Sequence, residues 1–308
     1  MTVLRKSSFE TLPVEIVHRI FDYLPTETIV SSIRYVCKRF YSIISGYNNY
    51  EVDFRYMSRS DLCSMARIID PKNIISVTLS DEIQTPGQIR LFLTHFQIDQ
   101  FIRLRSLTLV KANATMPYVF PNVTELKIVI NEKWSASLGK HLYKIVTLWN
   151  LGTLWLDFQC ECMSTVNLSV EMNTLLKLAS NIRSLRISCN KSERMKMVTF
   201  NAICLTLPHH IKRLDADIMH VADAKTLLEQ AQHLKSVTFR TIDPWYFAHE
   251  IDLWLWQMKR NTVVYQVDAI RLRRYDDFES NNAIHLWLGK DVNQQSSSSH
   301  SHKRIKLC

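Results

Sequence analysis

Phe9-Glu10-Thr11-Leu12-Pro13-Val14-Glu15-Ile16-Val17-His18-Arg19-Ile20-Phe21-Asp22-Tyr23-Leu24 opens the stretch that decides the reading of this chain, and Val36-Cys37-Lys38-Arg39-Phe40-Tyr41-Ser42-Ile43-Ile44-Ser45-Gly46 closes it. Leu12, Ile16 and Ile20 recur at helical spacing, with Val17, Phe21 and Leu24 in a second stripe beside them. The two stripes cover more than half of a helix circumference, more than one small partner helix can shield. Pro13 suits the first helical turn, where its missing N–H is no loss, and Glu15 complements the positive end of the dipole. Pro25 closes the segment, because a residue preceding proline is pushed out of the α region. A second helical pattern follows Thr26, with Ile29, Ile33, Cys37, Phe40 and Ile44 on one face. A small helical unit with surplus apolar surface predicts docking onto another polypeptide.

At these residues the chain resembles the F-box family. The family pattern is met at Leu12-Pro13-Val14-Glu15-Ile16, at Ile20-Phe21-Asp22-Tyr23-Leu24 and at Val36-Cys37-Lys38-Arg39-Phe40. Between the second and third blocks the sequence departs from the family's acidic residue and paired leucines, having Thr26-Glu27-Thr28-Ile29-Val30 instead. The resemblance implies a three-helix F-box over residues 1–50 that binds the Skp adaptor of a Skp–cullin–F-box ubiquitin ligase. Adaptor binding is then expected to rest on Leu12, Pro13, Ile16, Ile20 and Leu24, with Val36, Cys37 and Phe40 completing the face.

Working outward, Gly46 to Asn49 reads as a linker, after which a motif recurs: apolar, two residues, apolar, one residue, apolar. It stands at Ile74-Val77-Leu79, Leu104-Leu107-Leu109, Val123-Leu126-Ile128, Leu151-Leu154-Leu156, Ile182-Leu185-Ile187, Ile211-Leu214-Ala216 and Leu234-Val237-Phe239, and in weaker form at Thr262-Tyr265-Val267. First positions are 30, 19, 28, 31, 29, 23 and 28 residues apart. The two-residue step places the last two apolar residues on one strand face. Helical patterns fill the intervals at Gln88 to Ile102, Ser135 to Trp149, Ser169 to Ser180, Ala222 to His233 and Tyr246 to Lys259.

Strand and helix alternating at this period resemble stacked leucine-rich repeats, in which each unit buries its apolar face against its neighbours. The family's asparagine is matched only at Asn131 and Asn190, with Ala112, Gln159, Met219 and Ile242 in the other units. A generic open α/β sheet with buried parallel strands fits the same apolar runs. The expected fold is therefore α/β: an N-terminal F-box, a leucine-rich-repeat-like solenoid over residues 51–292, and a disordered polar and basic tail over residues 293–308.

Composition excludes several functions. Five glycines among 308 residues leave no phosphate loop or dinucleotide fingerprint. Seven scattered cysteines suit a reduced cytoplasmic or nuclear setting rather than a disulfide framework. No secretory signal or bilayer-length apolar run is visible. A net charge of +9 is spread along the chain without a basic aromatic stripe, which argues against nucleic acid as partner.

No catalytic, metal or cofactor constellation emerges. Cys160-Glu161-Cys162 lacks the ligand spacing and second pair of a zinc site and reads as core filler. His209-His210 reads as a turn. Most of Trp149, Trp155, Trp245, Trp254, Trp256 and Trp287 are expected to pack inside, although Trp254 and Trp256 cannot share one helix face. Lys303-Arg304-Ile305-Lys306 carries a short nuclear-import pattern.

The expected function is a non-catalytic ligase receptor, holding the Skp adaptor and cullin scaffold at one end and an unidentified protein substrate on its repeats. The competing reading is a non-ligase interaction scaffold whose first 46 residues cap the repeat array, since terminal repeats need a cap.

Overall fold

A computed structural model describes residues 11–81, 86–110, 119–130, 145–159, 174–189, 207–218, 220–241, 243–258, 263–268 and 283–288. It is a mixed α/β structure, with short N-terminal helices followed by a strand-rich sheet. Contacts divide the chain into two compact units: Met1–Leu126 with Lys144–Thr147, and Lys127–Tyr143 with Leu148–Cys308.

The first unit begins with α1 (Val14–Phe21), α2 (Thr26–Ser31) and α3 (Lys38–Gly46). Pro13 precedes the first helix rather than lying in it, and its carbonyl accepts from the N–H groups of Ile16 and Val17 at 3.1 and 3.2 Å. Pro25 stands in the same position before α2. The single helical pattern expected after Thr26 is broken. Ile33–Tyr35 form a 3₁₀ turn, and Cys37 is extended at φ −158° and ψ 164°. Ser31 and Ser32 supply the physical reason, since serine hydroxyls compete with backbone partners and weaken helix interiors.

Tyr47 corrects the linker reading of Gly46 to Asn49. It is 2% exposed, donates to Asp22 Oδ1 at 2.7 Å, and meets the rings of Phe21 and Tyr50 at 5.6 and 4.9 Å. Burial, and then the Asp22 hydrogen bond, hold its hydroxyl well above the usual tyrosine pKa.

Strand β1 (Tyr50–Asp53) and helix α4 (Arg59–Ile68) come next, both absent from the sequence reading. Their signals were local: Tyr50, Val52 and Phe54 alternate inward, and Ser58 caps the helix by accepting from the Asp61 N–H at 3.2 Å. Then come β2 (Ile74–Ser80), α5 (Gln88–His95), β3 (Ser106–Val110) and β4 (Glu125–Ile130), of which the last begins in this unit. Helix α5 stops at His95, short of the expected Ile102, and gives way to a 3₁₀ turn at Ile98–Gln100. Strands β1, β2 and β3 are neighbours in parallel, with Val77 opposite Leu107 and Leu79 opposite Leu109. Behind them Phe54, Phe92, Phe96, Phe101 and Phe120 form a chain of ring contacts with centroid separations of 4.7 to 6.2 Å.

In the second unit β5 (Thr153–Phe158), β6 (Ser184–Cys189), β7 (Arg213–Asp217) and β8 (Ser236–Arg240) pair in parallel. Leu154, Leu185, Leu214 and Val237 stand opposite one another, as do Leu156, Ile187, Ala216 and Phe239. All eight are 2% exposed or less. The entry into each strand is the same: the N–H groups of Leu151, Ile182, Ile211 and Leu234 donate to the carbonyl three residues earlier, at 3.1 to 3.3 Å. Carbonyls of Gly152, Arg183 and Lys212 then accept from the next strand. Identical backbone stitching at each step is what lets the apolar side chains stay in register.

Helices α6 (Val221–Gln230) and α7 (Pro244–Gln257) lie where helical patterns were expected. Residues 174–178 are helical within the expected Ser169 to Ser180 segment, whereas most of Ser135 to Trp149 falls outside the described residues. The last two positions of each of the eight motifs fall on a strand, those of the eighth on β9 (Val263–Asp268). Yet β9 does not join β8. Strand β10 (Ala283–Leu288) lies between them and runs antiparallel to both. The 262–267 motif therefore fits least well, because a reversed strand fills the place beside β8.

The tryptophans correct the expectation of burial. Trp254 is 9% exposed, but Trp149, Trp245, Trp256 and Trp287 are 68, 49, 79 and 45% exposed. Asn131, Asn190, Cys160-Glu161-Cys162 and the tail from 293 lie outside the described residues. His209 and His210 form the expected turn before β7.

Candidate docking face

Helix α1 has two unlike sides. Val17 and Phe21 are 0 and 1% exposed, and with Ile29, Val30, Phe40, Ile43 and Ile44 they make the interior of the helical module. His18 packs its ring edge-on against Tyr47 at 5.3 Å, and its Nε2 lies 3.4 Å from the Ile43 carbonyl. The other side is bare, with Val14 and Ile16 each 41% exposed. Two i, i+4 pairs thus split the helix: Val17 and Phe21 face in, while Ile16 and Ile20 remain accessible.

Of the eight residues expected in the docking face, Pro13, Ile16 and Val36 are exposed and Leu12, Ile20, Leu24 and Cys37 are half-buried. Phe40 is 5% exposed and faces the module's own interior. Arg39 joins the first and third sequence blocks by donating to the Leu12 carbonyl. This bond brings the start of α1 to the start of α3. Sequence reasoning missed Val14, Tyr23, Tyr35 and Tyr41, which are 41, 88, 69 and 49% exposed. Arg34 holds Tyr41 by donating to its hydroxyl at 3.1 Å while lying 4.6 Å from its ring centre. An apolar and tyrosine-rich surface of this kind has the composition of a protein interface core.

A second polar grouping lies on the outward strand faces of the second unit. Trp155 is held between Lys127 and Arg186, each 3.7 Å from its ring centre, and donates to Ser188 at 2.8 Å. Lys127 pairs with Asp157 at 3.1 Å, and Arg240 with Asp215 at 2.7 Å. Burial pushes the Asp215 carboxyl up, against the pull of Arg186. Burial also pushes Asp217 to about 6, although the Cys189 N–H bonded to it at 2.8 Å opposes the shift. These groups mostly satisfy one another, giving a surface with specific polar geometry and little net charge.

Among the described residues, no group of three or more His, Cys, Asp or Glu side chains could hold a metal ion. No described helix is long and apolar enough to cross a membrane.

Residues 9–48 match the F-box-like family model, a span that contains α1, α2, α3 and Tyr47. This F-box-like domain supports reading the chain as an F-box protein. No curated protein matches the chain.

Proposed function

We propose that this protein is a substrate receptor of a Skp–cullin–F-box ubiquitin ligase. Its F-box-like domain would hold the Skp adaptor, and the strand-rich remainder, of leucine-rich-repeat type, would hold a protein substrate. The observation that carries the reading is the apolar surface left bare on α1 within a stretch that matches the F-box-like family. Leu12, Pro13, Ile16, Ile20, Leu24, Val36 and Cys37 form the contact, and Phe40 supports it from inside. In this receptor role it positions rather than reacts, raising the local concentration of substrate beside the ubiquitin-carrying partner. Trp155 with its flanking cations offers the substrate side a rigid aromatic anchor of the type that dominates interfaces.

The test is co-purification of the full chain with a Skp adaptor. Ile16→Asp combined with Val36→Asp places two charges on exposed apolar positions, which should weaken binding by about a hundredfold, an anchor-sized loss. Far-UV circular dichroism should stay unchanged, because neither side chain is buried. Undiminished binding by the double variant overturns the assignment. Deleting residues 1–46 separates the capping reading, since loss of a cap unfolds the strands it covers. Tyr47 and the Thr26 bond to the Glu51 carbonyl at 2.6 Å favour some capping contribution, and that role is compatible with adaptor binding.

A further inference from the structure

Helices α4 and α5 of the first unit bring together a thiol and an imidazole that the proposed function does not use. Cys63 Sγ lies 3.2 Å from His95 Nε2, across 32 residues of chain. The pair is held by the side chains beneath it. Leu62 and Met65 anchor α4 at 0 and 5% exposure, and Phe92 anchors α5 at 0%. With those residues fixed, Cys63 and His95 meet at the surface, where the thiol is half-buried and the imidazole exposed. Arg59 and Arg67 stand four residues before and after Cys63, so all three share one face of α4. Both arginines are exposed.

We propose that Cys63 is a thiol–disulfide exchange site, with His95 as its proton acceptor, for small disulfides that carry carboxylates. A nucleophile within hydrogen-bond reach of a base is the arrangement that activates a thiol. With the imidazole proton on Nδ1, Nε2 accepts the Cys63 proton and the resulting thiolate attacks one sulfur of the incoming disulfide. The old S–S bond breaks and a new one forms to Cys63. The departing thiolate takes the proton from His95 and leaves as a thiol. Cys63 is oxidised, half of the reagent is reduced, and no further oxidant is required. The two guanidiniums flanking the thiol supply the preference for a carboxylate-bearing partner.

The test uses the full-length protein with glutathione disulfide, and with bis(2-hydroxyethyl) disulfide as a neutral comparator, following each cysteine by peptide mass spectrometry. Cys63 should form the mixed disulfide at least about a hundredfold faster than half-buried Cys37, the lower end of what a positioned base supplies. His95→Gln should slow Cys63 with both reagents. Arg59→Gln with Arg67→Gln should slow glutathione disulfide alone. Equal rates at Cys63 and Cys37 in the unaltered protein overturn the proposal, as does a folded His95→Gln variant that reacts as fast as the parent. Slowing of both reagents by the arginine changes overturns the anionic preference. The wild-type comparison stands even if a variant folds poorly, and none of the readouts depends on adaptor binding.

Discussion

Helix α1 and strand β6 both carry apolar residues at regular intervals, yet they use them differently. In β6, Leu185 and Ile187 are 0 and 1% exposed, as is the preceding Ile182 at 0%. In α1, Val17 and Phe21 are as deeply buried, but Val14 and Ile16 are left 41% exposed. The strand uses its apolar surface to hold the chain together. The helix uses only half in this way, and the remainder is available for binding. Periodicity shows that a side chain is apolar; neighbouring elements decide whether it serves stability or recognition.

That contrast can be broken experimentally, and the largest effect belongs to the strand. Leu185→Ala should lower unfolding free energy by about 3 kcal/mol, the usual cost of a cavity in a close-packed interior. Urea denaturation measures it, and a loss under about 1 kcal/mol would mean that this interior is loosely filled. Asp217→Asn should act in the opposite direction. The folded carboxyl titrates near 6 against an ordinary value of 3.8, so above pH 6 folding keeps a charge that burial disfavours. Stability from this group therefore increases as pH falls from about 6 to 3.8. The asparagine variant should gain about 1–2 kcal/mol at pH 8 and nothing at pH 3.5. Equal gain at both values would rule out titration as the cause.

Tyr47→Phe removes only the hydroxyl bonded to Asp22 and should cost about 1 kcal/mol. A change near zero would show that this bond contributes little to the module. Ile16→Asp should change stability least, within about 0.5 kcal/mol, as expected for an exposed site. A thermal melt showing a loss as large as that of Leu185→Ala would show that both sides of α1 are structural.

Much of the strand pattern was legible because the last two motif positions, two apart, share one strand face, while in most units the first is buried in the turn just before the strand. Strand β1 and helix α4 escaped because Tyr50 to Phe54 alternates without the longer step, and a capped helix of ten residues carries only two buried anchors. Strand β10 escaped for another reason. Its place beside β8 depends on pairing across 43 residues or more, with His285 opposite Thr238, for instance, which no local pattern encodes. Trp149, Trp245 and Trp287 were misjudged because size favours burial on average, whereas the opposite facing of Trp254 and Trp256 on α7 follows from their two-residue spacing.

The candidate docking face was half legible. The three sequence blocks located the helices, and their apolar excess showed that something would remain uncovered. Which half remained bare depended on Tyr47, a residue read as linker, whose ring fixes α1 against its neighbours. Phe40, expected on the docking face through the resemblance, is 5% exposed and packs inside the module. The extended backbone at Cys37 resets the phase.

Thr26 carries a consequence beyond its own helix. A strand with only one partner exposes a row of backbone groups on which a foreign strand can grow. Among the described residues β1 pairs only with β2, and the Thr26 hydroxyl occupies the Glu51 carbonyl with α2 lying alongside. The helices proposed to offer a sticky surface to one protein would also deny the sheet margin to others, so recognition and protection against clumping would share one short stretch of chain.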